Sequence, residues 1–344
     1  MISYKLSETK DSSHSHSLAL LFRRTIVQLL QKLLGKKPVN KGITTLSFTP
    51  DGIALAISSY TETQELTLVH CEFIATNNKK TVLKELTEKH HLKEYACYLV
   101  LASDDYRLIS IETPAVTDNE MAEAIGWKIS DLVDFDIDSA VIDYYPLPES
   151  QRANSKKLLE VIATPKSTLQ PLVDLCLSCG LQLQVIDIQE TSLRNLSTLL
   201  PESNQGIAIL HLQKTSGRII IEQQGNLYLS RKLAVGYDRL GLTDTFISDE
   251  QIMLEHSGLA LEIQRSLDYV ESYYGLPPIS GLAVIPLAEN TQNLLNTLNS
   301  SHGITARIMD LSTIIDGDIL LDDATQSLCA SVIGATLRNT IESI

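Results

Sequence analysis

Three apolar runs of strand length, Gly42–Phe48, Gly52–Ser58 and Glu65–Ile74, open the patterned part of the chain. Thr49-Pro50-Asp51-Gly52 punctuates the first two, because proline presets a turn and glycine accepts its backbone angles, so a three-strand meander is expected. The period then changes. Leu83 and Leu86 sit at helical spacing within Thr81–His91, and Cys97–Ala102 is again a continuous apolar run, which gives the order strand, strand, strand, helix, strand. The order returns in the second half. Gly206–Gln213, Arg218–Gln223 and Leu227–Ala234 read as strands, with Gln224-Gly225-Asn226 as a turn; a long helix, Asp249–Tyr274, precedes the strand Gly281–Ile285. A helix near Asn290–Leu298, a strand Ile304–Met309 and a closing helix Gln326–Asn339 follow. The closing helix carries Leu328, Val332 and Ala335 on one side, with Ile333 and Leu337 widening the stripe.

The first half holds extra material. Asp118–Leu132 reads as a helix with Met121, Ile125 and Leu132 on one side, and Ser139–Tyr145 alternates as a strand before Pro146 and Pro148. Leu158–Thr164, the helix Ser167–Cys179, the strand Leu181–Ile188 and the helix Glu190–Leu199 then complete that half, and the polar segment Pro201–Gln205 is a hinge. The repeated order implies an α/β fold of the duplicated, ribonuclease-H-like (actin-like) type, with two domains over residues 42–200 and 201–344. An inserted subdomain is expected over about 113–150.

Residues 1–41 form a separate leader. Phe22, Ile26, Leu29, Leu30 and Leu33 recur at three- and four-residue spacing from Leu18 to Leu34, while Arg23, Arg24 and Lys32 take much of the remaining circumference. Gly35-Lys36-Lys37-Pro38 stops this helix and extends its basic character. Two destinations suit it: the anionic face of a membrane, or an apolar face of the body or of a partner helix.

Charge separates the leader from the body. Residues 1–42 hold eight Lys/Arg and two Asp/Glu, a balance of +6, so the net −14 of the chain leaves −20 on residues 43–344. Such a body repels nucleic acid. No run approaches the roughly 18–20 apolar residues of a membrane span, and Ser12–His16 and Arg23-Arg24 do not suit a secretory signal, so cytoplasmic residence is expected. Five cysteines at 71, 97, 176, 179 and 329 are too few and too scattered for a disulfide framework. Cys176-Leu177-Ser178-Cys179 has metal spacing, but lies within a helix and lacks a second pair.

Several phrases, in order, carry a resemblance to a known family. They are Val161-Ile162-Ala163-Thr164-Pro165-Lys166, Cys179-Gly180-Leu181 with Val185-Ile186-Asp187-Ile188, Leu229–Gly236, Glu262–Tyr269 and Ile333–Arg338. Over residues 42–340 the chain resembles the PilM and MshI proteins of type IV pilus biogenesis, within the actin-like superfamily, and the leader Leu29–Lys37 turns the resemblance toward the mannose-sensitive haemagglutinin (MSHA) branch. The resemblance implies a cytoplasmic scaffold at the inner membrane. It would bind the short cytoplasmic tail of a bitopic PilN-like partner and link it to the assembly ATPase, with a peripheral membrane contact through the leader.

Hydrolysis is not expected. An actin-like ATPase needs an acidic, glycine-rich turn in each half, where carboxylates position magnesium and water and glycines let backbone N–H groups reach the phosphates. Here the first reads Gly42-Ile43-Thr44-Thr45-Leu46-Ser47, with the only acidic turn residue, Asp51, several residues later, and the second reads His211-Leu212-Gln213-Lys214-Thr215-Ser216-Gly217, with no carboxylate. Ile285-Pro286-Leu287-Ala288 replaces the glycine pair expected near the adenosine. No cofactor is expected, and a nucleotide-binding ATPase is the alternative reading, with Lys214, Thr215 and Ser216 as its candidate anion site. No metal site is expected: Asp131, Asp134, Asp136, Asp138 and Asp143 lack the glycine and terminal glutamate of a calcium loop. Trp127, the single tryptophan, falls in the insertion, where it is either a core residue or a contact in a partner groove.

Overall fold

The computed structural model describes residues 41–152, 155–242, 248–279, 281–287, 291–300, 304–317 and 319–338, so the leader helix and its residues from Phe22 to Leu33 lie outside the described residues. The chain runs β1 (Gly42–Thr49), β2 (Gly52–Tyr60), β3 (Leu66–Ala75), α1 (Lys79–Lys89) and β4 (Ala96–Val100). It continues through β5 (Arg107–Glu112), α2 (Met121–Ile129), β6 (Ala140–Pro146), β7 (Leu158–Pro165), α3 (Lys166–Ser178), β8 (Gln182–Asp187) and α4 (Gln189–Ser197). The second half comprises β9 (Ile207–Leu212), β10 (Gly217–Gln223), β11 (Asn226–Leu233), α5 (Asp249–Tyr274), β12 (Gly281–Val284), α6 (Thr291–Ser300), β13 (Thr305–Ile308), α7 (Leu311–Ile314) and α8 (Asp323–Thr336).

The two halves share one topology. The first sheet has the order β3-β2-β1-β4-β8 and the second β11-β10-β9-β12-β13, each an antiparallel meander extended by two parallel strands. This is the duplicated two-domain actin-like fold. β1 and β9 lie in the middle of their sheets and bury both faces, so they read as continuous apolar runs rather than alternating ones. α5 starts at Ser248, whose hydroxyl accepts the Gln251 amide, and stops at Gly275 in the left-handed region at φ 72°.

The helices that end each half are exchanged. α8 packs on β1, β2 and β3 of the first sheet, whereas α4 packs on β9, β10 and β11 of the second, and the two helices lie against each other between the sheets. Their crossing is close. A Cβ on Gly334 would stand 2.1 Å from the Ser192 carbonyl oxygen, and Asn195 Nδ2 donates to the Gly334 carbonyl at 3.0 Å. Thr45 on β1 sends its hydroxyl to the Val332 carbonyl at 2.7 Å, so a polar residue in a buried strand is satisfied by the docked helix. Chain order assigns the closing helix to residues 201–344, but in space it closes the first sheet.

The insertion has its own sheet and core. β7 is the central strand of the order β5-β7-β6, antiparallel to both neighbours, so the subdomain draws on strands from Arg107 to Pro165, outside the 113–150 span of the sequence reading. Ile125 and Ile129 of α2 pack against Ile111, Leu159, Val161 and Ala163. All five cysteines are free and buried, and Cys176 and Cys179 lie at the packed end of α3.

Candidate functional site

The turns that could cradle a phosphate are the β1–β2 and β9–β10 hairpins. The first is a two-residue turn, Pro50-Asp51, in which the Gly52 amide donates to the Thr49 hydroxyl at 3.2 Å and the Asp51 carbonyl accepts the Thr76 amide at 3.0 Å. A Cβ on Gly52 would meet the Ile74 carbonyl at 2.2 Å, so this glycine serves the neighbouring strand. Ser47 is buried within β1.

The second turn is closed from behind. The Gln213 amide donates to Ser216 O at 2.8 Å, and the amides of Tyr237 and Asp238 donate to the carbonyls of Gln213 and Lys214 at 3.0 and 3.1 Å. Lys214 and Thr215 are exposed and Ser216 is half-buried. His211, at the end of β9, is buried and held neutral by burial; its Nε2 donates to Ser327 O at 2.8 Å. The β12 end offers no cradle either: Ile285 and Leu287 are buried, with their amides donated to Leu210 O at 3.0 Å and to the Thr291 hydroxyl at 2.9 Å.

Charges of the protein itself occupy the junction between the halves. Arg218, leading β10, forms an ion pair with Glu190 on α4 and donates to Ser103 Oγ at 2.8 Å on the loop after β4. Both side chains are almost wholly buried, and burial in that pairing is what makes breaking one partner costly. The Tyr106 phenol donates to the other Glu190 oxygen, and its own ionisation is pushed up by burial. Lys232 to Asp104, at 2.7 Å, is a second, exposed link between the halves. On the side of the insertion, burial followed by the charge of Glu190 pushes the Glu160 carboxyl up to about 8, and burial pushes Asp143 up to about 7.

Beside this junction, where the insertion meets the first half, lies an open groove of about 260 Å³. Its lining includes Asp104, Asp105, Asp134 and Arg107, together with Tyr106, Phe135 and Pro165. Arg107 is spent on Asp134 at 3.1 Å, and the Asp105 carboxylate accepts the Ala102 amide at 3.1 Å while burial raises its pKa. With Arg107 on Asp134 and Lys232 on Asp104, three aspartates meet two bases and the groove keeps a net negative charge, which suits a basic peptide more than an anion.

Trp127 is 76% exposed on α2, which excludes the core reading, and it does not line the groove; Val116 and Leu132 of the same insertion are also exposed. Lys214, Thr215 and Ser216 stay together at one turn, apart from any carboxylate of that turn. Sequence reasoning missed the Arg218–Glu190–Tyr106 cluster, because its members come from three separate segments and share no motif. The one signal was Arg218 itself, a charge leading the continuous apolar run Ile219-Ile220-Ile221.

No family model matches the chain, and no curated protein matches it. Among solved structures, a chain of the PilM–PilN type IV pilus biogenesis complex superposes with a TM-score of 0.67 at 17% identity, over 88% of this chain and 99% of that one. The cytoplasmic domain of EpsL, an inner-membrane component of the type II secretion system of Vibrio cholerae, gives 0.49 at 12% identity over 88% and 95%. A Bacteroides thetaiotaomicron protein of actin-like ATPase fold also gives 0.49 at 12% identity, over 81% and 93%. At these identities the likeness to the first concerns the fold. Among the described residues no helix is long and apolar enough to cross a membrane.

Proposed function

We propose that this protein is a non-hydrolysing scaffold of type IV pilus assembly, of the MSHA type, that holds the cytoplasmic tail of a bitopic inner-membrane partner of the PilN kind. The observation that carries the reading is the acidic groove between the first half and its insertion, in a chain that shares the fold of a component of the PilM–PilN complex. Its net negative charge attracts the basic juxtamembrane residues such a tail carries on the cytoplasmic side, and the half-buried Phe135 and Pro165 offer apolar contact. The scaffold sits at the inner face of the inner membrane, assisted by the basic leader, and passes the contact on to the assembly ATPase. A second turn that is closed from behind and has no carboxylate, together with a junction filled by Arg218 and Glu190, supports the absence of turnover, with Asp51 the one carboxylate at the first turn.

The test is titration of the full chain with a synthetic peptide spanning the cytoplasmic tail of a bitopic protein encoded beside it. Thr168→Trp, which fills the groove from α3, is expected to weaken binding at least about tenfold, as loss of a central contact does at other interfaces. Trp127→Ala, outside the groove, is expected to leave it unchanged. Equal affinity for parent and Thr168→Trp removes the groove from the reading.

A further inference from the structure

β3 carries a bulge at Val69: Ile57 pairs with His70, but the next residue, Ser58, pairs with Leu68. Beyond it His70 and Glu72, two apart, share one face of the strand, while Cys71 points the other way, to Cys329 of α8. The end of α1 brings His90 to the first face. His70 Nε2 stands 2.9 Å and His90 Nε2 3.1 Å from the same atom, Glu72 Oε1, with Lys89 Nζ at 3.5 Å. The two imidazole rings lie 4.3 Å apart, and the three ligand atoms all fall within 4.8 Å of one another.

We propose that His70, Glu72 and His90 form a binding site for a divalent transition-metal ion of the zinc class, with its fourth position open. Zinc binds imidazole and carboxylate at about 2.0–2.2 Å, which sets tetrahedral ligand atoms roughly 3.3 Å apart. The two nitrogen-to-oxygen separations are slightly shorter, so a small opening admits the ion. Two imidazoles and one carboxylate suit zinc, cobalt or nickel, whereas calcium and magnesium require shells of oxygen. Two imidazole nitrogens and the Lys89 ammonium already converge on one carboxylate oxygen, Glu72 Oε1, where the ion would sit among them. Lys89, whose side chain is 62% exposed, is free to swing into solvent.

The site lies apart from the groove and the junction, so it does not depend on the proposed function. His70, Glu72 and His90 keep side-chain exposures of 32%, 27% and 17%, so solvent reaches the cluster and water or a donor from another molecule can supply the fourth ligand. A bound ion would tie β3, the outer strand of the first sheet, to the end of α1. The sequence gives little sign of this: 18 residues separate Glu72 from His90, and the bulge decides which side chains meet.

The experiment uses the full chain carrying His14→Ala and His16→Ala, which removes the other close histidine pair, stripped with chelator and titrated with Zn²⁺ and separately with Co²⁺. The expected result is one equivalent bound, a visible spectrum of tetrahedral cobalt and a raised Tm in zinc. His90→Gln and His70→Gln are each expected to weaken binding at least about tenfold, since even outer partners of such ligands contribute that much. The two variants are read separately, so misfolding of one leaves the other decisive. No saturable zinc binding below about 100 µM, or affinity unchanged in a folded histidine variant, overturns the proposal.

Discussion

At the scale of single residues, the buried carboxyls between the insertion and the halves carry the clearest pH signature. Glu160 titrates in the folded protein at about 8 and Asp143 at about 7, both above the ordinary carboxylate range because burial disfavours charge. Above about pH 4.5 the unfolded chain has released these protons, while the folded chain holds that of Asp143 to about pH 7 and that of Glu160 to about pH 8, so over those windows the folded state binds more. Their contribution to stability is full below the unfolded pKa and is lost as pH rises through 7 and 8. Glu160→Gln removes one of the two. Compared with the parent, it is expected to gain on the order of 2 kcal/mol at pH 8.5 relative to pH 5, read from urea midpoints. Parallel pH profiles would contradict the assignment. None of this was legible in the sequence, where Glu160 is a single charge in an apolar strand and Asp143 one of five spaced aspartates. Trp127 was similarly ambiguous, because a lone tryptophan in an amphipathic helix fits either face until the packing of Ile125 and Ile129 turns it outward.

Elements were read best where length and periodicity agreed. α5 matches its expected bounds because a capping serine and a terminating glycine frame a long amphipathic run. β5 was missed. Its Arg107-Leu108-Ile109-Ser110-Ile111-Glu112 pattern is short and mixed, and its partner β7 pairs from Leu158 to Ala163, far along the chain. That pairing also explains why the insertion extends past its expected bounds. The exchange of α4 and α8 left one trace in the sequence, Gly334 within an apolar helix. An exposed helical glycine usually gains about 1 kcal/mol from alanine, but here the Ser192 carbonyl fills the space a methyl would need. Gly334→Ala is expected to destabilise by about 1–3 kcal/mol in thermal or urea unfolding. A stabilised variant would show that the two helices do not cross this closely.

For the whole molecule, the duplication was legible because both halves repeat the same order of elements, and the second sheet reproduces the first strand for strand. What the halves enclose was less so, since it depends on side chains converging from β10, α4 and the loop after β4. The sequence shows no carboxylate in His211–Gly217, while the first hairpin carries Asp51 at its tip; the structure adds that Arg218, Glu190 and Tyr106 stand between the halves and that backbone groups of both turns are paired with neighbouring segments. The proposed scaffold role puts the binding chemistry on the groove beside the insertion rather than between the lobes. The most direct measurement is isothermal titration of the full chain with Mg-ATP at micromolar protein. The expected result is no saturable heat and no phosphate release, and a single-site micromolar transition would contradict it.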